Sequence, residues 1–274
     1  MAVWILVVVM AIAQGIAEFL PVSSSGHLLV LGSWFGFDAE KNMTLNVVLH
    51  AGTLAAILVF YFKHLLSILL VPARRRLIAL VIAGSIPAAV VGIGLKTAGW
   101  EEKLFASPWT AAAGFVITAT LLLTVFGGRH GESEAVECSG MAAEQMSFKD
   151  SLLIGCAQAL AITPGISRSG STICAGVMRG LSKADAAEFS FLLAIPAIGG
   201  AALLELLDLL KESAAPAEGE IMLLVIGFVV SAVVGYAALA GLIALLKKGK
   251  LGYFAYYLYA AALLTAAVEL IRLF

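Results

Sequence analysis

Two Ser/Gly-rich segments, Pro21-Val22-Ser23-Ser24-Ser25-Gly26-His27 and Pro164-Gly165-Ile166-Ser167-Arg168-Ser169-Gly170-Ser171-Thr172, interrupt stretches that otherwise read as membrane helix. They constrain the fold more than any other feature. In hydrocarbon an unpaired backbone N–H or C=O has no water to bond, so broken helix survives only inside protein or beside a water-filled cavity. The segments also resemble each other. A shift of 144 residues places Gln14 on Gln158, Ala17 on Ala161, Ser23 on Ser167, Ser25 on Ser169 and Gly26 on Gly170. A repeated, polar, helix-breaking element at membrane depth predicts one site assembled from two halves.

The surrounding sequence leaves little choice of environment. Hydrophobic residues fill 61% of the 274 positions and charged residues only 13%, against about 25% charged in a soluble domain. With a mean hydropathy of +1.02, the chain reads as an all-α polytopic membrane protein; the short alternating segments of a β-barrel are missing. A net charge of −1 gives no reason to expect nucleic acid as a partner. Cys138, Cys156 and Cys174 lack metal-ligand spacing and read as small apolar fillers. The first Lys or Arg is Lys41, so no positive stretch of a cleavable signal precedes the apolar start.

Apolar runs at about 43–62, 76–95, 109–126, 186–210, 221–246 and 252–273 reach or approach the ~20 residues that a crossing needs. Four more, at about 1–20, 22–35, 151–163 and 170–181, pair around the Ser/Gly segments. They predict two re-entrant helical hairpins, 1–35 and 151–181. Lys and Arg mark cytoplasmic loops: Lys63 with Arg74, Arg75 and Arg76, and Lys247 with Lys248 and Lys250. Loop 127–150 then also falls inside, and the acidic loop around Glu212, Glu218 and Glu220 falls outside. Each half holds one hairpin and three crossings. Three is odd, so the halves 1–126 and 151–274 form an inverted-topology repeat with hairpin tips meeting near mid-membrane. The linker 127–150 reads as a solvated connector.

At each segment Pro and Gly break the helix, and Ser is a preferred N-cap for the helix that restarts. The restarting helices aim free N–H groups and positive dipole ends at the tips. That is an anion site, with phosphate its usual occupant. Hydroxyls of Ser23, Ser24, Ser25, Ser167, Ser169, Ser171 and Thr172 add donors. Arg168 at mid-membrane costs about 2.5–3.5 kcal/mol on insertion scales, and its planar fork fits a phosphate; the competing role is pairing with a buried Glu for assembly alone. Glu18 and Gln14, spaced i, i+4, share the face leading to the first tip. Glu18 suits a general base, an Mg²⁺ or Ca²⁺ ligand, or a partner for Arg168, and Mg²⁺ commonly takes one or two carboxylates plus substrate phosphates.

His27 falls one turn into the restarting helix, within reach of Ser24, and a Ser–His pair is the usual way to activate a weak nucleophile. The remaining polar residues carry plainer expectations. His50 packs or hydrogen-bonds, His64 and His130 sit at loop edges, Glu188 and Glu205 snorkel, and Pro87 and Pro196 mark kinks. Walker A, HExxH and GxSxG patterns are absent, which disfavours ATP-driven transport and those hydrolase types.

Gln14-Gly15-Ile16-Ala17-Glu18, continuing through Pro21 to His27, resembles the (E/Q)xxxE element of undecaprenyl-diphosphatases of the bacitracin-resistance type. Pro164 to Thr172 matches that family's PGxSRSxxT element in full, and Phe189-Ser190-Phe191-Leu192-Leu193-Ala194-Ile195-Pro196 is family-like. The resemblance runs from about residue 5 to 272. It implies removal of the terminal phosphate from undecaprenyl diphosphate, which regenerates the monophosphate carrier lipid for cell-wall synthesis. It further implies a divalent cation, Mg²⁺ or Ca²⁺, and a site opening to the outer face of the bacterial plasma membrane.

Carried over by position, the resemblance makes Glu18, Ser24, His27 and Arg168 the catalytic group, with Glu18 also the metal ligand. Gln14, Ser23, Ser25, Gly165, Ser167, Ser169 and Thr172 would surround the diphosphate. Many relatives have Glu where this chain has Gln14, so the metal or base role concentrates on Glu18. Ser24, His27 and water stay open as the attacking group. A polyprenyl-phosphate flippase is the alternative function, because inverted repeats with broken helices are transporter architecture. A homodimer is compatible with the chain, although no residue pattern points to one.

Overall fold

Hydrocarbon forces the backbone to satisfy itself within helices, and helices are what form. The computed structural model describes residues 3–36, 43–105, 107–127, 140–211 and 218–273. Along them run α1 (Val3–Phe19), α2 (Ser24–Phe35), α3 (Met43–Phe60), α4 (Phe62–Leu70), α5 (Arg75–Thr97) and α6 (Trp100–Phe105). There follow α7 (Pro108–Phe126), α8 (Phe148–Leu160), α9 (Arg168–Met178), α10 (Lys183–Lys211), α11 (Glu218–Lys247) and α12 (Tyr253–Arg272). Helices α5, α7, α10, α11 and α12 are each long and apolar enough to cross a membrane, and α3 with α4 qualifies as a bent pair. The chain is a multi-pass membrane protein. Its outward faces are apolar: Val90, Val233 and Leu263 are among the large exposed side chains.

The 144-residue shift recurs in the elements. It carries the start of α2 at Ser24 onto the start of α9 at Arg168, and α7 onto α12 within two residues at each end. Packing follows the same exchange. Helix α1 lies along α11 while α8 lies along α5, and α3 meets α10 as α7 meets α12. Small residues let these backbones approach: a Cβ on Gly155 would sit 2.2 Å from the Gly84 carbonyl oxygen. At the base of the second hairpin Ser147 and Asp150 form a capping box, and Asp150 pairs with Arg179 at 2.6 Å. Ser147 and Arg179 together hold the Asp150 carboxyl below its ordinary range.

Three expectations need correction. The stretch read as a loop at 63–76 contains α4, which turns 66° from α3; Leu65, Ile68 and Leu69 recur there at helical spacing among the basic residues. That bend brings His64 against α10, where its Nε2 lies 2.9 Å from Glu188 Oε1, so neither residue is a bystander. The described part of the linker is anchored to the protein rather than solvated throughout, although Gly140, Gln145 and Lys149 are exposed. Ala143 and Met146 are fully buried, and Arg76 donates to the Glu144 and Met146 carbonyls at 2.7 and 2.9 Å. Its apolar residues seek the core as any others do. Cys174 is a buried filler, whereas Cys156 is exposed. His50 bonds the Asn46 carbonyl, and Pro87 and Pro196 lie inside continuous helices. Lys41, His130, Cys138, Glu212 and the linker through 139 lie outside the described residues, as do the side chains of Glu205, Glu218 and Glu220.

Candidate active site

Helix α1 ends at Phe19, and the chain turns tightly as Val22 N–H donates to the Leu20 carbonyl at 2.7 Å. Ser23 takes φ 69°, the one positive value outside glycine among the described residues, and its Oγ accepts from Gly26 N–H. The second tip repeats the cap: Ser167 Oγ accepts from Gly170 N–H at 3.1 Å. Helix α7 supports it from below, since Thr118 Oγ1 donates to the Gly165 carbonyl and accepts the Ser167 N–H. The two tips touch. Ser169 Oγ donates to the Leu20 carbonyl at 3.2 Å, and a Cβ on Gly26 would sit 2.7 Å from Gly165 Cα.

Glu18 is the hub of the polar groups. Only 7% exposed, it accepts from Gln14 Nε2 at 3.1 Å, Ser24 Oγ at 2.6 Å and Arg168 Nη2 at 2.8 Å. The other arm of Arg168 donates to the Ser190 carbonyl at 3.1 Å. A hydroxyl bonded this closely to a carboxylate has a proton acceptor in place, and the guanidinium beside it can neutralise an incoming anion.

His27 is placed differently from expectation. Its Nδ1 lies 2.7 Å from the Ser23 carbonyl and its Nε2 lies 2.7 Å from Tyr257 Oη, so its bonds bypass Ser24. The hydroxyls divide as well. Ser23, Ser167, Ser169 and Thr172 are buried, and Thr172 Oγ1 bonds the Arg168 carbonyl and Ser190 Oγ. These four build the tips, while Ser24, Ser25, His27 and Arg168 keep partial exposure. Gly165, at φ 87°, supplies the turn of the second tip.

Gln14 Oε1 is buried beside Glu18 with no hydrogen-bond partner among the described residues. It and the Glu18 carboxylate are hard oxygen donors, the type of group that could hold a divalent cation together with phosphates. No group of three or more His, Cys, Asp or Glu is available for a metal among the described residues. Next to the polar tips, an apolar cavity of about 770 Å³ lies between α1, α2, the end of α11 and α12, with Ala17, Val22, Leu31 and Phe254 in its walls and His27, Tyr257 and Lys250 as its polar lining.

Three participants were invisible or half-visible in the sequence. Ser190 sits in the Phe189–Pro196 segment singled out above, and Tyr257 lies in an unremarked run of tyrosines. Thr118 gave no signal.

The family model for the bacitracin resistance protein BacA matches residues 7–264. The undecaprenyl-diphosphatase of Rhodopirellula baltica is 44% identical over 264 residues, covering 96% of this chain and 97% of the relative. Those of Carboxydothermus hydrogenoformans and Methanosphaera stadtmanae are 39% and 33% identical, over 92% and 96% of this chain and 92% and 97% of their own lengths. The chain belongs to the bacitracin resistance protein BacA family.

Proposed function

We propose that the chain hydrolyses undecaprenyl diphosphate to undecaprenyl phosphate and inorganic phosphate, and does so at the paired tips. The observation that carries the chemistry is the 2.6 Å bond from Ser24 Oγ to Glu18. Arg168 and the N-termini of α2 and α9 hold the diphosphate. Ser24 Oγ attacks the terminal phosphorus while Glu18 takes its proton. The bond from that phosphorus to the bridging oxygen breaks, and polyprenyl phosphate leaves with the electron pair. Water then cleaves the phosphoserine, and Ser24 recovers a proton. Such a transfer asks the protein mainly for positioning and charge neutralisation.

A bound Mg²⁺ or Ca²⁺ would be held by Glu18 and Gln14 and would offset phosphate charge. The apolar cavity beside His27 suits the first isoprene units of the chain. Basic residues following α4 and α11 support a cytoplasmic side for those ends in a bacterial plasma membrane, and on this reading the site opens to the outer face. A pure flippase would have no use for a hydroxyl bonded to a carboxylate.

Phosphate release by the purified protein in detergent, where transport has no meaning, is the test. Glu18→Gln and Arg168→Ala should lower kcat by about 10²–10⁴, and Ser24→Ala should abolish trapping of labelled terminal phosphate on the enzyme. Wild-type turnover in Glu18→Ala and Arg168→Ala would sink the assignment; label trapped on His27 would move the nucleophile.

A further inference from the structure

We propose that Tyr257, acting through His27, is a positioning residue that holds the strained turn at Ser23 and so aims the Ser24 hydroxyl. The inference deepens the diphosphatase reading and rests on it for its kinetic consequence.

The two tips carry the same cap at different backbone strain. Ser23 sits at φ 69°, whereas Ser167 caps Gly170 from an ordinary φ of −73°. A non-glycine residue in such a region is strained and persists only where its surroundings over-determine it. The cap itself does not require the strain, since the second tip manages without it. What the first tip has in addition is a clamp. The Ser23 carbonyl accepts from His27 Nδ1 at 2.7 Å on top of the backbone bond from His27 N–H at 3.3 Å, and only the backbone bond has a counterpart at the second tip, where Ser171 N–H donates to the Ser167 carbonyl at 2.8 Å. The 144-residue shift puts Ser171 in place of His27, and Tyr257 corresponds to Ala113 on α7, so the second tip lacks both members.

Both ring nitrogens and one neighbouring aromatic ring hold the imidazole at the edge of the cavity. Tyr257 Oη lies 2.7 Å from Nε2, the two rings stack at an interplanar angle of 7°, and Phe115 closes on the imidazole with centroids 4.9 Å apart. A carbonyl can only accept, so Nδ1 carries the proton and Nε2 receives the phenol O–H. Both nitrogens are therefore spent on holding the turn. Ser24 is the next residue along, and its Oγ meets Glu18 at 2.6 Å only while the turn keeps this direction. Misplacement by about 1 Å is enough to cost roughly 10²-fold in rate.

The full-length protein in detergent, assayed with a polyprenyl diphosphate, tests the clamp. Tyr257→Phe keeps the stacked ring and removes the hydroxyl; kcat should fall about tenfold with KM within about twofold. Tyr256→Phe, at an exposed neighbour, should match wild type. His27→Asn, whose side-chain N–H can replace Nδ1–H toward Ser23, should retain about tenfold more kcat than His27→Ala, a rescue that a proton-transfer role would not permit. Adding Tyr257→Phe to His27→Ala should cost nothing further.

Wild-type kcat in Tyr257→Phe, equal rates in His27→Asn and His27→Ala, or losses that multiply in the double variant would each overturn the inference. A separate readout needs no turnover. Nitrogen-15 spectra of histidine-labelled protein should show His27 protonated at Nδ1, with its Nε2 resonance moved by Tyr257→Phe; protonation at Nε2 alone overturns the clamp. A wild-type protein that releases no phosphate but shows the Nδ1–H tautomer would defeat the functional reading and leave the clamp standing.

Discussion

Gln14 and Gln158 hold equivalent places in the two hairpins and meet different fates. Gln14 donates to Glu18, but the residue one turn beyond Gln158 is Ile162, so the second amide finds no carboxylate. Gln158 is 3% exposed, and neither of its amide atoms has a partner among the described residues. Burying an unbonded amide costs about 1–3 kcal/mol, whereas an apolar group of the same shape costs nothing comparable. Gln158→Met should therefore stabilise the protein by about 1 kcal/mol and raise its melting temperature in detergent at unchanged turnover. A lower melting temperature would mean that the amide has a use the hairpin needs. Glu18 and Arg168 obey the opposite rule. Each neutralises the other in a buried place, so removing either leaves a charge unpaired at about 3–5 kcal/mol. Their variants must be shown to be folded before a lost rate is read as lost chemistry.

The hairpins owe their meeting point to glycines rather than to the polar residues they display. A Cβ on Gly114 of α7 would sit 2.4 Å from the Pro164 carbonyl oxygen and 2.6 Å from Gly165 Cα. Both are backbone atoms, so the second tip would have to move, and Arg168 would move with it away from Glu18. Gly114→Ala should lower kcat about 10²-fold although Gly114 has no side chain and its carbonyl touches the site only through Thr118. Gly200→Ala, with open space around its Cβ, should not. Equal rates in the two would show that the tips tolerate displacement. The starts of α2 and α9 were legible in the sequence because Ser caps and Pro breaks are local signals. Helix α4 was hidden because Lys63 sits in its first turn and Arg74 to Arg76 follow it, and these read more loudly than three apolar residues at helical spacing. The choice of Glu18 over His27 as the partner of Ser24 was not legible at all. It turns on one backbone angle at Ser23 and on a tyrosine 230 residues away on α12, and only tertiary packing supplies either.

Across the whole molecule the shift that aligns the elements also reverses their charge. Arg74 falls on Glu218 and Arg76 on Glu220, so a basic end in one half corresponds to an acidic end in the other. Because basic residues stay inside, the halves are proposed to be inserted in opposite senses, each bringing its hairpin from its own side. Gly36 and Gly180 make the sharpest test. They are equivalent under the shift, both follow the second helix of a hairpin at positive φ, and both have open space around the Cβ position. A left-handed non-glycine residue costs only about 1–2 kcal/mol, so single cysteines are tolerable at both once Cys138, Cys156 and Cys174 are replaced. In intact cells a membrane-impermeant maleimide should label Gly36→Cys and spare Gly180→Cys until the membrane is opened. Exposed Ala73→Cys and Gly99→Cys, at the two ends of α5, calibrate the inside and outside responses. Labelling of Gly36→Cys and Gly180→Cys from the same side would make the halves parallel. Tips entering from one face could not then oppose their helix N-termini across a diphosphate, and the site would need another explanation.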